Sequence, residues 1–220
     1  ALGADRTRRG RAMDDILAIL RTAWSGEPIQ HDGAVHSVEG VAVRPTPGSG
    51  IPIIIGGGAE AALRRAARAA DGFFSNVGPE QFAHQVAVVE DEMGRVDRTA
   101  PFRWIAYRMV YVADDATRGW EEVKRYTHLM RWKYSDMVAS ATRGPGPVPE
   151  PPPLDADTEA ALRAATLVGP PELIADEVRA TADRAGVDIE FVARSYFPGM
   201  PFHQQDEQLC RFAEQVVPLL

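Results

Sequence analysis

A run of β-branched residues that breaks on three glycines and re-enters a helix-forming segment leaves few folds open. Ile51-Pro-Ile-Ile-Ile55 shows no polar alternation, so a strand there is expected to be covered on both faces, as parallel strands under helices are. Gly56, Gly57 and Gly58 then lead into a helix at about Glu60–Ala70, and Gly72–Ser75 reads as a second short strand. The order repeats downstream. Pro79 fits the first turn of a helix running to about Val96, a long strand covers 103–112, and a long helix covers Asp114–Ala139. Val168-Gly-Pro-Pro-Glu172 opens a helix to about Ala185, followed by a strand at Ile189–Arg194 and a last helix from about Gln205 to Val216. Upstream, Met13, Ile16, Leu17, Leu20 and Trp24 fall on one face of a helix that stops near Ser25-Gly26, and residues 27–50 hold short extended pieces around Asp32-Gly33.

Strands alternating with helices across short connections predict an α/β fold with a parallel sheet. The four strong strands lie near 51–55, 72–75, 103–112 and 189–194. A closed eight-stranded barrel takes about 250 residues. A chain of 220 residues that opens on a helix is expected to supply roughly the second half of one, a partial (β/α)8 TIM barrel, as a single domain over 1–220. One segment does not fit regular structure. The stretch GPGPVPEPPP from Gly144 to Pro153 is expected to form a mobile excursion over residues 144–157.

Composition narrows the function classes. A formal net charge of −7 argues against nucleic acid, whose phosphates call for a basic surface. No apolar run approaches the roughly 18–20 residues of a membrane span, and no signal segment opens the chain. Cys210 is the single cysteine, which leaves no internal disulfide or thiolate metal cluster and points to a reducing cytoplasm. With Leu209 and Phe212 around it, Cys210 reads as a small buried residue.

Several residues carry possible chemistry. Glycine lets the backbone come close to a ligand, and a helix N-terminus directly behind adds unspent donors and partial positive charge. Gly56, Gly57 and Gly58 are therefore either a plain turn or a cradle for a phosphate; no Gly-Lys-Ser/Thr follows, so it is not a Walker loop. Arg64, Arg65 and Arg68 sit a turn or more behind and read as a solvated helix face. Ser75 and Asn76 end a strand, where they either bond a ligand or make the turn before Pro79; Asp71 is expected to steady the turn before that strand. Arg194 ends the last strand, facing either an anionic ligand or an acidic helix, and His203 follows Pro-Gly-Met-Pro close by. His31 and His36 flank Asp32 in a hairpin without an evident third ligand, so no metal is expected. Parity does not settle which way Arg108 points. The aromatics Trp104, Tyr107, Tyr111, Trp120, Tyr126, Trp132 and Tyr134 read as core; Trp132 and Tyr134 also precede the Pro-rich segment, which could lie as a lid over an apolar substrate. No nucleophile motif, triad or acid–base dyad presents itself, which suits an enzyme whose cofactor carries the chemistry.

The order and spacing of seven short motifs resembles the luciferase-like monooxygenase family. They are Trp24-Ser-Gly-Glu-Pro28 with His31-Asp-Gly33, Pro45-x-Pro47, Pro52-Ile-Ile-Ile-Gly-Gly57, Ala66-Ala-Arg-x-x-Asp71-Gly72, Val168-Gly-Pro-Pro-Glu172 and Phe212-x-x-x-Val216-x-Pro218. The resemblance covers nearly the whole chain and implies a bacterial-luciferase-like barrel lacking about the first four strands, those that would precede the segment at Leu2. It further implies a reduced flavin such as FMN acting with O2 on a small organic substrate, or hydride transfer through a deazaflavin, coenzyme F-420. It places the cofactor phosphate at Gly56, Gly57, Gly58 and Ala59. Because some relatives carry a serine where Ala59 stands, the grip here would be largely backbone. Ser75, Asn76, Arg194 and His203 would line the mouth. A different class stays open, a non-catalytic half-barrel or assembly subunit that forms homo-oligomers or pairs through its open strand edges.

Overall fold

The computed structural model describes residues 5–48, 50–143 and 146–220, so the segment at Leu2 lies outside the described residues. Contacts divide these into two compact units, one holding residues up to Ser75 plus Gln85–Ile105, the other Asn76–His84 plus Ala106–Leu220.

In the first unit, helix α1 (Arg9–Ser25) ends on Gly26, whose left-handed backbone returns its amide to Ala23. A hairpin follows, β1 (Ile29–Asp32) antiparallel to β2 (Ser37–Val41). Its turn is held by a side chain of α1: the Asp15 carboxylate accepts the amides of Ala34 (3.2 Å), Val35 (2.7 Å) and His36 (2.9 Å). Strand β3 (Ile54–Gly56), helix α2 (Glu60–Ala69) and strand β4 (Gly72–Ser75) make the next turn of the fold. β3 and β4 are parallel, with Ile54 opposite Gly72 and Gly56 opposite Phe74, and β5 (Arg103–Val112) begins in this unit and continues into the other.

The strand expected at 51–55 is shifted and shorter, and coverage on both faces does not extend along it. Ile53 and Ile55 are buried, but Ile51 is 44% exposed. The reason lies in Asp71. Its carboxylate accepts the Ile53 amide at 2.7 Å and its own amide donates to the Ile53 carbonyl at 2.6 Å, so an Asx clamp takes the place of a ladder pair just before the strand starts. Asp71 also accepts from Arg21 (2.7 Å). Burial alone would raise its carboxyl pKa, but the Ile53 amide and Arg21 together hold it below the ordinary value. Next to it, a Cβ on Gly72 would meet the Arg103 carbonyl at 2.6 Å, so only glycine fits. Ala66 and Ala67 are fully buried, letting α2 lie close to its neighbours.

The second unit carries the rest of β5, helix α4 (Ala116–Arg143), helix α5 (Ala156–Ala165), strand β6 (Thr166–Gly169), helix α6 (Pro171–Ala185), strand β7 (Ile189–Arg194) and helix α7 (Phe202–Arg211). β5 pairs in parallel with β6, from Met109 opposite Thr166 to Val112 opposite Gly169, and also pairs with β7. Tyr111, Trp120, Val123, Tyr126, Phe197 and Met200 form one core cluster; Val110, Val112, Ile174, Val178 and Val216 form a second.

Three sequence expectations are corrected here. The irregular stretch within 144–157 ends at Asp155, which caps α5 by accepting the Thr158 amide at 2.8 Å; neither α5 nor the four-residue β6 behind it was anticipated. The last helix begins at Phe202, not near Gln205, because Pro201 seats its first turn. Cys210 is exposed, since that helix turns Gln208 inward instead. Gln208 donates to the Val112 carbonyl (3.1 Å) and accepts the Val112 amide (2.7 Å), standing in for a neighbouring strand.

Candidate functional site

Gly56 is the last residue of β3, and the chain leaves its C-terminal end through Gly57 and Gly58 into α2. Gly57 has φ +141°, a conformation that side chains resist, and a Cβ there would come within 3.1 Å of the Ala62 methyl. Gly58 has open space around it. Ala59 is the extended residue before α2 and supplies no side-chain cap; its carbonyl takes the amides of Ala62 and Leu63. Among the described residues, the amides of Gly58, Ala59, Glu60 and Ala61 have no acceptor, and residues 56–60 are exposed. The loop is thus an open cradle of backbone donors at the positive end of a helix, which fits a phosphate on geometry and charge.

A carboxylate at that helix start would compete with such an anion. Glu60 does not, because Arg64 draws its carboxylate back along the helix with Nε–Oε1 at 2.9 Å. Arg64 also meets Glu92 Oε2 at 2.7 Å, Arg68 pairs with Glu92, and Arg65 pairs with Asp14. The three arginines are therefore ion-paired to neighbouring helices, correcting the solvated-face expectation. Arg64 first, then Arg68, holds the Glu92 carboxyl below its ordinary pKa.

Ser75 sits at the same end of the parallel pair, one residue past the Gly56–Phe74 register. It is buried, and its hydroxyl donates to Gln85 Oε1 at 2.6 Å, so it braces the strand end instead of facing solvent. Asn76, by contrast, is exposed in the second unit.

Also in the second unit, Arg194 closes β7 and donates to the Tyr107 hydroxyl at 2.9 Å. Its guanidinium lies 5.8 Å from the Tyr196 ring centroid. Burial would lower its pKa, but Tyr107 and Tyr134 outweigh that and hold it above the ordinary value. The Arg194 side chain borders a cavity of about 380 Å3 with Trp132 and Met137. His203 is exposed in the first turn of α7. Arg108 is buried and donates to the carbonyls of Ala164 (2.9 Å) and Ala165 (3.2 Å), capping α5; burial lowers its pKa. His31 faces Asp15 at 3.3 Å, and among the described residues no cluster of three metal-ligating side chains exists. No helix of the described residues is long and apolar enough to cross a membrane.

Comparison with known proteins bears on the family and the fold. The family model described as luciferase-like monooxygenase matches residues 1–188. A protein of Mycobacterium tuberculosis without an assigned activity is 33% identical over 102 residues, 46% of this chain and 35% of that protein. F420-dependent glucose-6-phosphate dehydrogenase of Mycolicibacterium smegmatis is 30% identical over 116 residues, 48% of this chain and 34% of that one. Among solved structures, monooxygenase RslO1 from Streptomyces bottropensis superposes with a TM-score of 0.72 at 20% identity, over 97% of this chain and 62% of that one. Coenzyme F420-dependent tetrahydromethanopterin reductase from Methanopyrus kandleri gives 0.66 at 17% identity, over 95% and 63%. The matched stretch is thus about a third of the curated relatives' length, and the chain spans a little over three fifths of these solved structures. The likeness identifies the fold as part of a luciferase-like (β/α)8 barrel.

Proposed function

Proceeding from a chain that belongs to the luciferase-like monooxygenase family, we propose that it forms the phosphate-holding part of a flavin-dependent oxidoreductase acting on a small organic substrate. The observation that carries this reading is the unspent donor loop. Gly57, Gly58, Ala59 and the first turn of α2 offer backbone amides to a phosphate, with no serine hydroxyl needed. Arg64 serves the site by keeping the Glu60 carboxylate turned away from it. Ser75, braced by Gln85, holds the adjacent strand end, and Asn76, Arg194 and His203 are assigned to the substrate side. When bound, the reduced flavin supplies the electrons that activate dioxygen; the chain binds, orients and excludes water. A second reading, hydride transfer through the deazaflavin F420, draws support from the F420-dependent dehydrogenases among the sequence relatives.

The test is a fluorescence titration of the full chain with FMN, riboflavin and F420. FMN should bind more tightly than riboflavin, which lacks the phosphate, by about ten- to a hundredfold, as charge-assisted hydrogen bonds allow. Gly57→Val, forced into a positive φ and against Ala62, should erase that difference while leaving the circular dichroism spectrum native. Equal binding of FMN and riboflavin by the unaltered chain sinks the phosphate assignment. F420 binding tighter than FMN selects the second reading.

A further inference from the structure

The cavity beside Arg194 has a chemistry of its own. Its walls are apolar, built by Leu129, Met130, Trp132 and Met137 of α4 with Pro198 beyond β7. At about 380 Å3 it falls in the range of small-molecule sites. Met130, Tyr134 and Met137 recur at three- and four-residue spacing and so share one helix face. Tyr134 and Met137 are each 59% exposed, although large apolar surface of this kind is normally covered.

Among the described residues two cations, Lys133 and Arg194, border this cavity, and Lys133 is paired with a carboxylate. Lys133 meets Asp136 Oδ2 at 3.1 Å. Asp136, the acid on this stretch of α4, is buried and is bonded a second time by Arg143 at 2.7 Å. Arg194 has no carboxylate partner among the described residues. Its neighbours are the hydroxyls of Tyr107 and Tyr134 and the ring of Tyr196. The guanidinium thus gains hydrogen bonds from hydroxyls but no counter-charge, inside a largely apolar cavity. It also keeps part of a planar donor fork free, and that fork matches an oxyanion.

We infer that this cavity binds a small organic oxyanion with an apolar body, its anionic head on Arg194 and its body against Trp132, Met130 and Met137. Such a molecule supplies at once the counter-charge and the apolar cover that Arg194 and the α4 face lack among the described residues. The inference deepens the proposed function, on which it rests, by giving the substrate a chemical class: an amphiphilic acid, neither a neutral hydrocarbon nor a sugar. Tyr107 acts as a positioning residue, since its hydroxyl fixes the guanidinium from the strand beside β7.

Calorimetric titration of the full chain with naphthalene probes tests this without any cofactor. Three oxyanions, 2-naphthoate, 2-naphthalenesulfonate and 2-naphthyl phosphate, share one apolar body, and 2-naphthalenemethanol is its neutral counterpart. At least one oxyanion should bind ten- to a hundredfold tighter than the alcohol, and acetate should show no saturable binding. Arg194→Gln should remove the preference, and Arg194→Lys, which keeps the charge but not the fork, should retain part of it. Trp132→Ala should weaken the naphthalene acids and the alcohol alike. An alcohol that binds as tightly as all three acids overturns the inference, as does a preference that survives Arg194→Gln in a natively folded variant. FMN binding is read separately on the same samples. Lost acid preference with intact FMN binding rejects this site alone, whereas lost FMN binding with intact acid preference rejects only the cofactor reading.

Discussion

Asp15 spends its carboxylate on three backbone amides of a hairpin turn about twenty residues further on. The His36 amide foremost, with those of Val35 and Ala34 and the His31 side chain, holds its pKa down to about 2 from an ordinary value of 3.8. A depressed carboxyl pKa contributes stability that is fully present above the unfolded value and is lost as the pH falls through the folded one. Thermal melts followed by circular dichroism should therefore show a decline between about pH 4 and pH 2 that Asp15→Asn largely removes. The variant should also melt lower at pH 7, because an amide cannot accept three N–H groups in the same way. An unchanged acid limb in Asp15→Asn would assign that decline to other groups, such as Asp71 and Glu92, whose pKa values are also depressed. None of this was legible in the sequence. Asp15 looked like one more acid on an amphipathic helix, because its partners are backbone groups that leave no mark in the residue string. Asp71 was better anticipated as a turn-steadying residue. That Gly72 must be glycine followed only from the Arg103 carbonyl behind it.

At the scale of elements, long periodic segments are legible, as are the short strands β4 and β7, whereas β6 is not and the start of β3 is misplaced. α1, α3 (Pro79–Arg95), α4 and α6 announce themselves through apolar spacing, and β5 through six β-branched or aromatic residues in ten. Strand β6, Thr166-Leu-Val-Gly169, has four residues and follows a helix rich in alanine, so its apolar pair could equally have ended that helix. It becomes a strand because it finds β5 beside it, a tertiary fact. The start of β3 failed for a related reason: the apolar run continues upstream of Ile54, but the Asp71 clamp takes the Ile53 amide. Gln208 shows how a helix can complete a sheet. Its side chain is buried, and its amide meets both backbone groups of Val112. Gln208→Leu should leave an N–H and a C=O buried without partners and cost about 2–6 kcal/mol, from roughly 1–3 kcal/mol for each group. Urea denaturation should register this as a lower midpoint with the slope unchanged. Gln208→Glu, which keeps an acceptor but loses the amide donor, should fall between. A midpoint unmoved by Gln208→Leu would mean that water satisfies Val112.

For the whole molecule, several motifs that carry the family likeness turn out to be devices of the fold. Ala66, Ala67, Asp71 and Gly72 close the helix-to-strand return, and Pro171 starts α6. The glycine loop is different, for among the described residues its amides are left without acceptors. The sequence could therefore locate the loop but could not show that its donors are free, since that depends on the missing cap at Ala59 and on Arg64 withdrawing Glu60. The two proposed binding places lie in different compact units, the loop in the first and the Arg194 cavity in the second. Hydrogen exchange can interrogate them separately, because bound ligand slows opening of the segments it contacts. FMN compared with riboflavin isolates the phosphate, and the added protection should fall on residues 57–63. A bound naphthalene oxyanion should instead protect residues 129–137 and 194–198. Gly57→Val should abolish the first pattern and spare the second, and Arg194→Gln the reverse. Phosphate-dependent protection that appeared around Arg194 instead of the loop would exchange the two assignments, making the guanidinium the cofactor anchor and the glycines a turn.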